Sequence, residues 1–350
     1  MRSKRIGVAK CLPFALLLFM GSRPVHAQDT RQLSEVAEFY RGKSIRLLIP
    51  STPGGDYDSR ARLVARHMAR FIPGNPNILP VNMPGGSGVI GANYLAATAP
   101  RDGTVIEILL QNMPVLQAIS GPGAAFDVLE FGWLGNTTNS PNLVSSWYET
   151  GVKTIADVQT RELLVGAPNG TSGVLYPTAL NSLIGTKFKV VTGYASGTEV
   201  NLAMERGEVG GRGSNSWASW KVTRPDWVEQ GKLFHLVQVG LKRDPELPNT
   251  PLMQELANTP EDAEVLEFLS ADVGISRSLV TTPGVPKERL AALQAAFMSM
   301  VQDPAFLGEA KKLNIDIVAT DGMASRGVAA GIIKAPKAII AKAKQIMTAQ

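Results

Sequence analysis

The sequence has 350 residues, 44% of them hydrophobic, and a formal net charge of +5; five of its 35 Lys and Arg (Arg2, Lys4, Arg5, Lys10, Arg23) but none of its 30 acids lie in residues 1–27. Beyond that segment the two signs balance at 30 each with no basic cluster, which removes the electrostatic basis for a nucleic-acid or membrane-surface partner. Cys11 is the only cysteine and only His67 and His235 follow residue 27, so the rest of the chain has no disulfide and no Cys/His metal cage.

Residues 1–27 combine a basic start, the apolar run LPFALLLFMG and a small-residue ending, VHA. The run is too short to span a bilayer as a stable helix. The pattern predicts a secretory signal cut between Ala27 and Gln28, leaving a soluble periplasmic protein; an uncleaved anchor is the alternative. Cys11 precedes the apolar core and is badly placed to become a lipidated first residue. The remaining chain, about 320 residues, suffices for two ordinary domains.

Next, SIRLLIP (44–50) reads as a buried strand, and residues 58–71 as a helix with Ala61, Val64, Ala65, Met68 and Phe71 on one face. NILPVNMP (77–84) is a second strand, GVIGANYLAATA a helix and TVIEILLQ (104–111) a third strand. This alternation predicts a parallel sheet covered by helices, an α/β fold. After WLGNTTNSPNLVSSWYE a second set begins: ELLVGAP strand, SGVLYPTALNSLIG helix, KFKVVTGY strand, EVNLAMERGE helix and FHLVQVG strand (234–240). ADVGISRSLVTTPGV reads as strand and loop, and helical pieces near 286–301, 304–313 and 335–348 close the chain. The order places one lobe (138–250) inside another (28–137 plus 251–350), so the chain crosses between them twice. Two crossing strands acting as a hinge let lobes close on a ligand; two rigidly fixed domains are the alternative.

PGGSGVIG (84–91) contains G-x-G-x-x-G as Gly86, Gly88 and Gly91. A dinucleotide fingerprint needs its strand to run straight into the first glycine and an acid to end the next strand. Here Met83 and Pro84 intervene, the next strand ends in Gln111 and Asn112, and Glu107 lies in its interior. No P-loop is present either, so no cofactor is expected.

TPGGDYD (52–58), MPGGSG (83–88), APNGTSG (167–173) and GYASGTE (193–199) each join the end of a strand to the start of a helix. Open sheets bind ligands at such ends, and the free N–H groups of a helix's first turn hold an anion without lysine or arginine. The candidate ligand-binding residues are therefore Gly54, Gly55, Asp56, Tyr57 and Asp58; Pro84, Gly85, Gly86 and Ser87; Asn169, Gly170, Thr171 and Ser172; and Tyr194, Ser196 and Gly197. Gln111 and Asn112 join them from the third strand. Arg212 is a bidentate partner for a second carboxylate or a structurally paired arginine. The competing reading is that these glycines only make tight turns. Asp58 reads as a helix N-cap, His67 as part of a solvated face, and the Asp56–Asp58 pair as turn formers in preference to an acid–base pair. No nucleophile elbow or S-x-x-K motif occurs, and the chain is not expected to be an enzyme.

The stretches FYRGKSIRLLIPSTPGGDYDSRAR and NMPGGSGVIGANYLAATAPRDGT, continued through PNGTSG, VTGYASGTEVNLAMERGEV, LPNTPLMQEL and PGVPKERLAAL, resemble the receptor family of tripartite tricarboxylate transporters, the Bug-type periplasmic solute-binding proteins. The resemblance covers nearly all of the chain after residue 27. It implies a two-lobed, type II periplasmic binding protein with a Venus-flytrap closure. Such a receptor is a monomer that captures a small carboxylate and delivers it to membrane permease subunits; a sensor of the same fold that feeds a signalling partner is the alternative. In the family one carboxylate is held by backbone groups and water from the two loops of the first lobe, with backbone and hydroxyl groups of the second. On this chain those elements are Pro53, Gly54, Gly55 and Asp58; Asn82, Pro84, Gly85 and Gly88; and Gly170, Thr171 and Ser172. A tyrosine-lysine-glycine turn of the family falls on Tyr194, Ala195 and Ser196, and the family's glycine and small hydroxyl residue on Asp56 and Tyr57. These departures imply that Asp56 and Tyr57 repel or crowd a dicarboxylate seated in the usual way, which leaves a monocarboxylate, an aromatic acid or a non-acid solute open as the ligand.

Overall fold

The structure is a computed structural model that describes residues 25–121 and 124–348. The expected signal segment lies outside the described residues except for its last three, which continue into the first helix. Among the described residues eleven strands occur in chain order: β1 (Ser44–Ile49), β2 (Asn77–Asn82), β3 (Val105–Leu109), β4 (Gly132–Asn136), β5 (Asn142–Trp147), β6 (Leu163–Gly166), β7 (Phe188–Val191), β8 (Gly211–Ser216), β9 (Leu233–Val239), β10 (Ser278–Thr281) and β11 (Thr320–Asp321). The helices up to the second sheet's edge are α1 (Val25–Tyr40), α2 (Asp56–Met68), α3 (Val89–Ala97), α4 (Met113–Ser120), α5 (Ile155–Thr160), α6 (Ser172–Ile184), α7 (Gly197–Glu205), α8 (Trp217–Thr223) and α9 (Pro225–Glu229). The rest are α10 (Pro260–Ser270), α11 (Lys287–Met300), α12 (Pro304–Lys312), α13 (Gly322–Ile333) and α14 (Lys337–Thr348).

The strands form two sheets, ordered β11-β4-β10-β3-β1-β2 and β7-β6-β8-β5-β9. Each is the floor of one lobe, and the chain passes between them from β4 to β5 and from β9 to β10. The first sheet is mixed, a correction to the parallel sheet expected from the sequence: β1 pairs parallel with β2 and β3, whereas β10 is antiparallel to both β3 and β4. The reason is topological. The chain leaves at the end of β4 that faces the second lobe, so its return must enter at that same end and run the opposite way.

Apolar side chains of β1 (Ile45, Leu47, Ile49) bury against Val64 and Met68 of α2 and Leu293 and Phe297 of α11, forming the first lobe's main core. The second core gathers Val144 and Val165 with Tyr176 and Leu180 of α6, and also Val265, Leu266 and Leu269 of α10 and Ile339 and Ala343 of α14. Val115 of α4 and Ile332 of α13 enter this second cluster too, so the back of the hinge is a continuous apolar seam between the lobes. Four tryptophans, Trp147, Trp217, Trp220 and Trp227, pack together in a separate cluster of the second lobe.

Candidate functional site

Helices α2, α6 and α7 are among those that begin at the gap between the sheets. Helix α2 starts at Asp56 behind Gly55, which offers no side-chain cap, so the first N–H groups of that turn are left for other acceptors. This corrects the expectation that Asp58 is the N-cap. Gly54, at φ 88°, turns the chain into the helix two residues early, and Asp58 reaches back from the first turn to accept the Gly54 N–H at 3.0 Å. Its carboxylate also takes Arg62 Nε at 3.0 Å and Asn82 Nδ2 at 2.9 Å, and these partners hold it below the usual carboxylate range against the opposing effect of burial. Helix α6 starts behind Thr171, whose hydroxyl accepts the Gly173 N–H, and α7 behind Ser196, whose hydroxyl accepts the Glu199 N–H.

These starts open onto one cavity of about 690 Å³ between the lobes. Of the residues selected from the sequence, Gly55, Asp56, Tyr57, Pro84, Gly85, Gly86, Ser87, Gln111, Asn112, Asn169, Thr171, Ser172, Tyr194, Ser196, Gly197 and Arg212 line it. Gly54, Asp58 and Gly170 do not: the first two brace the turn, and Gly170 sits across from Ser87, where an added β-carbon would stand 3.3 Å from the serine oxygen. The lobes touch at this point, with Ser87 donating to the Asn169 carbonyl. The aromatic rings at the cavity are those of Tyr57 and Tyr194, while Trp217 and Trp220 are buried in the second lobe's core.

Asp56 is where the structure most changes the reading. Its carboxylate is buried and divides between two guanidiniums, Arg60 Nε and Arg277 Nε, each at 2.8 Å. Burial alone would raise its pKa, but Arg60 and Arg277 outweigh burial and hold it low, so it is a neutralised anion and not the repulsive loop acid expected. Tyr57 does not project freely either: its ring lies 4.8 Å from the Arg277 guanidinium and its hydroxyl accepts the Gln111 N–H at 3.4 Å.

Arg277 was not singled out in the sequence, where it is one arginine in an otherwise strand-like ISRSLV. It adopts the left-handed backbone region at φ 57°, which costs a non-glycine residue about 1–2 kcal/mol. Its fork offsets that cost with three partners: Asp56, Gln111 Oε1 at 3.3 Å, and Ser216 Oγ at 2.7 Å on the opposite lobe. Behind it, Gln111 Nε2 and the Tyr176 hydroxyl both donate to Asp272 Oδ1, at 3.3 and 3.4 Å, joining the end of β3 to α6 of the second lobe by one buried polar chain. Burial pushes the Asp272 carboxyl up to about 7.

Arg212 is on β8, where Nε donates to the Ser214 carbonyl at 3.1 Å and Nη1 to Asn201 Oδ1 at 2.9 Å. The two histidines stand apart from the cavity lining. His67 is buried, with Nε2 2.6 Å from Glu309 Oε2 and its ring edge-on to Phe306; the solvated face expected for it is corrected because α12 covers that side of α2. His235 pairs with Ser145 Oγ at 3.0 Å, and burial lowers it to about 4. Among the described residues no group of three or more His, Cys, Asp or Glu could hold a metal, and no helix is long and apolar enough to cross a membrane.

No protein-family model matches the chain. A relative from Cupriavidus necator, described as the UPF0065 protein in the gbd 5' region, is 25% identical over 320 residues, which are 87% of this chain and 89% of that one. Among solved structures, the periplasmic binding protein BugD superposes with a TM-score of 0.67 at 18% identity, over 87% of this chain and 98% of its own. An R. palustris protein solved with adipate superposes with a TM-score of 0.66 at 21% identity, over 87% of this chain and 97% of its own. The fold is that of the two-lobed periplasmic binding proteins.

Proposed function

We propose that this chain is a periplasmic solute-binding receptor of the tripartite tricarboxylate transporter type, a monomer that closes its two lobes on a small carboxylate and presents it to membrane permease subunits. One observation carries the reading: helix starts from both lobes meet in a single cavity whose only acidic lining residue, Asp56, is already neutralised by arginines. Such a surface solvates a bound anion with fixed N–H dipoles and cations. Each charge-assisted hydrogen bond contributes roughly 1.5–3 kcal/mol, so three or four bring binding to the micromolar range after ordering costs.

The sequence motifs of the Bug-type receptors, the C. necator relative and the shared fold support the family placement. The adipate in the R. palustris structure makes dicarboxylates the first compounds to try. The residue inventory supports a receptor over an enzyme, since neither His67 nor His235 reaches the cavity and its one acidic lining residue, Asp56, is held in ion pairs with arginines.

A thermal-shift screen of the chain lacking residues 1–27 tests this, using mono-, di- and tricarboxylates, aromatic acids, their neutral amides and nucleotides. An acid supplied at about a hundred times its Kd should add about 2.7 kcal/mol to stability. A response to nucleotides alone, or to neutral amides as strongly as to acids, would overturn the reading.

A further inference from the structure

The cavity's charged lining consists of Asp56, Arg277 and Arg212. Arg277 is ion-paired with Asp56, whose carboxylate it shares with Arg60 behind the lining. Arg212, on the second lobe, donates to a carbonyl and an amide oxygen, and no carboxylate forms an ion pair with it among the described residues. Its plane is fixed from behind by Trp220, whose ring centre is 5.3 Å from the guanidinium carbon. Nη2 lies against the α-carbon of Gly197, so close that any β-carbon there would collide with it. A rigid cation therefore stands beside the first turn of α7, whose own N–H groups are positive. Ser196 caps the Glu199 N–H and Glu199 accepts the Ala195 N–H at 2.8 Å, while the guanidinium and the remaining N–H groups of the turn both favour an anion placed between them. Burial lowers Arg212 to about 9, which leaves the guanidinium charged at neutral pH.

We infer that Arg212, with the first turn of α7, seats an acidic group at the second-lobe end of the ligand and makes the protein select diacids over their monoamides. This rests on the carboxylate-receptor reading and adds to it a side-chain cation on the lobe where the sequence resemblance implied only backbone and hydroxyl contacts. A planar fork suits a carboxylate, and the opposite wall at Gly85, Gly86 and Ser87 remains for the other end.

The test measures binding of succinate through suberate, and of the monoamide of each, to wild type, Arg212→Met and Arg212→Lys by calorimetry. Loss of a charge-assisted fork weakens binding by about tenfold to a hundredfold, so Arg212→Met should bind diacid and monoamide alike while wild type prefers the diacid by that factor. Arg212→Lys, with charge but no fork, should recover part of the preference. Ligand-free melting supplies the second readout: Arg212→Met should melt at or above wild type, because it removes an uncompensated cation, whereas a structural brace would make it melt lower. Acid binding that survives in Arg212→Met with the preference intact, or a lowered melting point, overturns the inference and leaves the receptor reading standing. A wild type that binds none of these acids overturns both.

Discussion

Glu107 sits in the middle of β3 with neither carboxylate oxygen hydrogen-bonded, facing Gly91 of α3 and fully buried. Burial pushes its pKa from 4.5 to about 8. The unfolded chain therefore releases this proton from about pH 4.5 upward, whereas the native protein keeps it until about pH 8. Between these values the native state binds more protons, so stability is full below pH 4.5 and is lost as pH rises, by up to about 1.4 kcal/mol per unit. Asp272, raised to about 7, acts in the same direction. Urea unfolding of Glu107→Gln should show a gain on the order of 3 kcal/mol at pH 7 that vanishes near pH 4.5, with a shallower residual slope from Asp272; equal gains at both values would refute the burial argument. Glu107 also illustrates what a single residue reveals in sequence. Its interior place in a strand was visible, and that sufficed to exclude a ribose-binding acid. The fate of Asp56 was not, because Arg60 lies one helical turn away but Arg277 arrives from 221 residues further along the chain.

The elements were legible where punctuation is strong. Gly and Pro at 53–55, 84–88, 168–173 and 193–197 mark strand-to-helix turns, and all four loops contribute to one cavity. Helix α13 was missed because GMASRGVAAGII has three glycines and no clear apolar face; packing against β4 makes it helical, with Gly322 pressed on the Trp133 carbonyl. Strand β8 was missed for a related reason, since GRGSNS has little strand propensity. Its glycines admit the start of α6 instead: a β-carbon on Gly213 would meet the Gly173 carbonyl carbon at 2.9 Å and Pro177 Cγ at 3.1 Å. Gly213→Ala should therefore push the first turn of α6 away from the cavity. We expect a stability loss of about 1–3 kcal/mol in denaturant titration and a parallel loss of acid affinity, because the element that moves carries Thr171 and Ser172. Unaltered affinity with reduced stability would show that α6 braces the fold without contacting ligand.

At the scale of the molecule, the lobes meet at three places of different character. The seam behind the hinge is apolar and contains α4, α6, α10 and α14. The cavity wall joins the lobes through Arg277 and Ser216, and the rim through Ser87 and Asn169. A third contact lies outside the cavity, where Lys221 of α8 pairs with Asp316 at 2.5 Å and with Glu246 of its own lobe at 2.9 Å. Arg60, which neutralises Asp56, also donates to the Asp316 carbonyl at 2.9 Å, so the segment holding this latch is tied to the cavity wall. Exposed ion pairs contribute at most about 1 kcal/mol, which is small against global stability. It is not small against the balance between open and closed forms, where a few kcal/mol separate the states. Lys221→Met should accordingly leave the melting point within a degree or two of wild type while enlarging the ligand-free radius of gyration in low-salt X-ray scattering. High salt should move wild type in the same direction by screening the pair. A saturating acid should return both proteins to one compact value, because the ligand then supplies the closing energy that the latch no longer does. Identical scattering from the two ligand-free proteins at low salt would mean that the apolar seam and the contacts at the cavity wall and rim set the angle between the lobes without the latch.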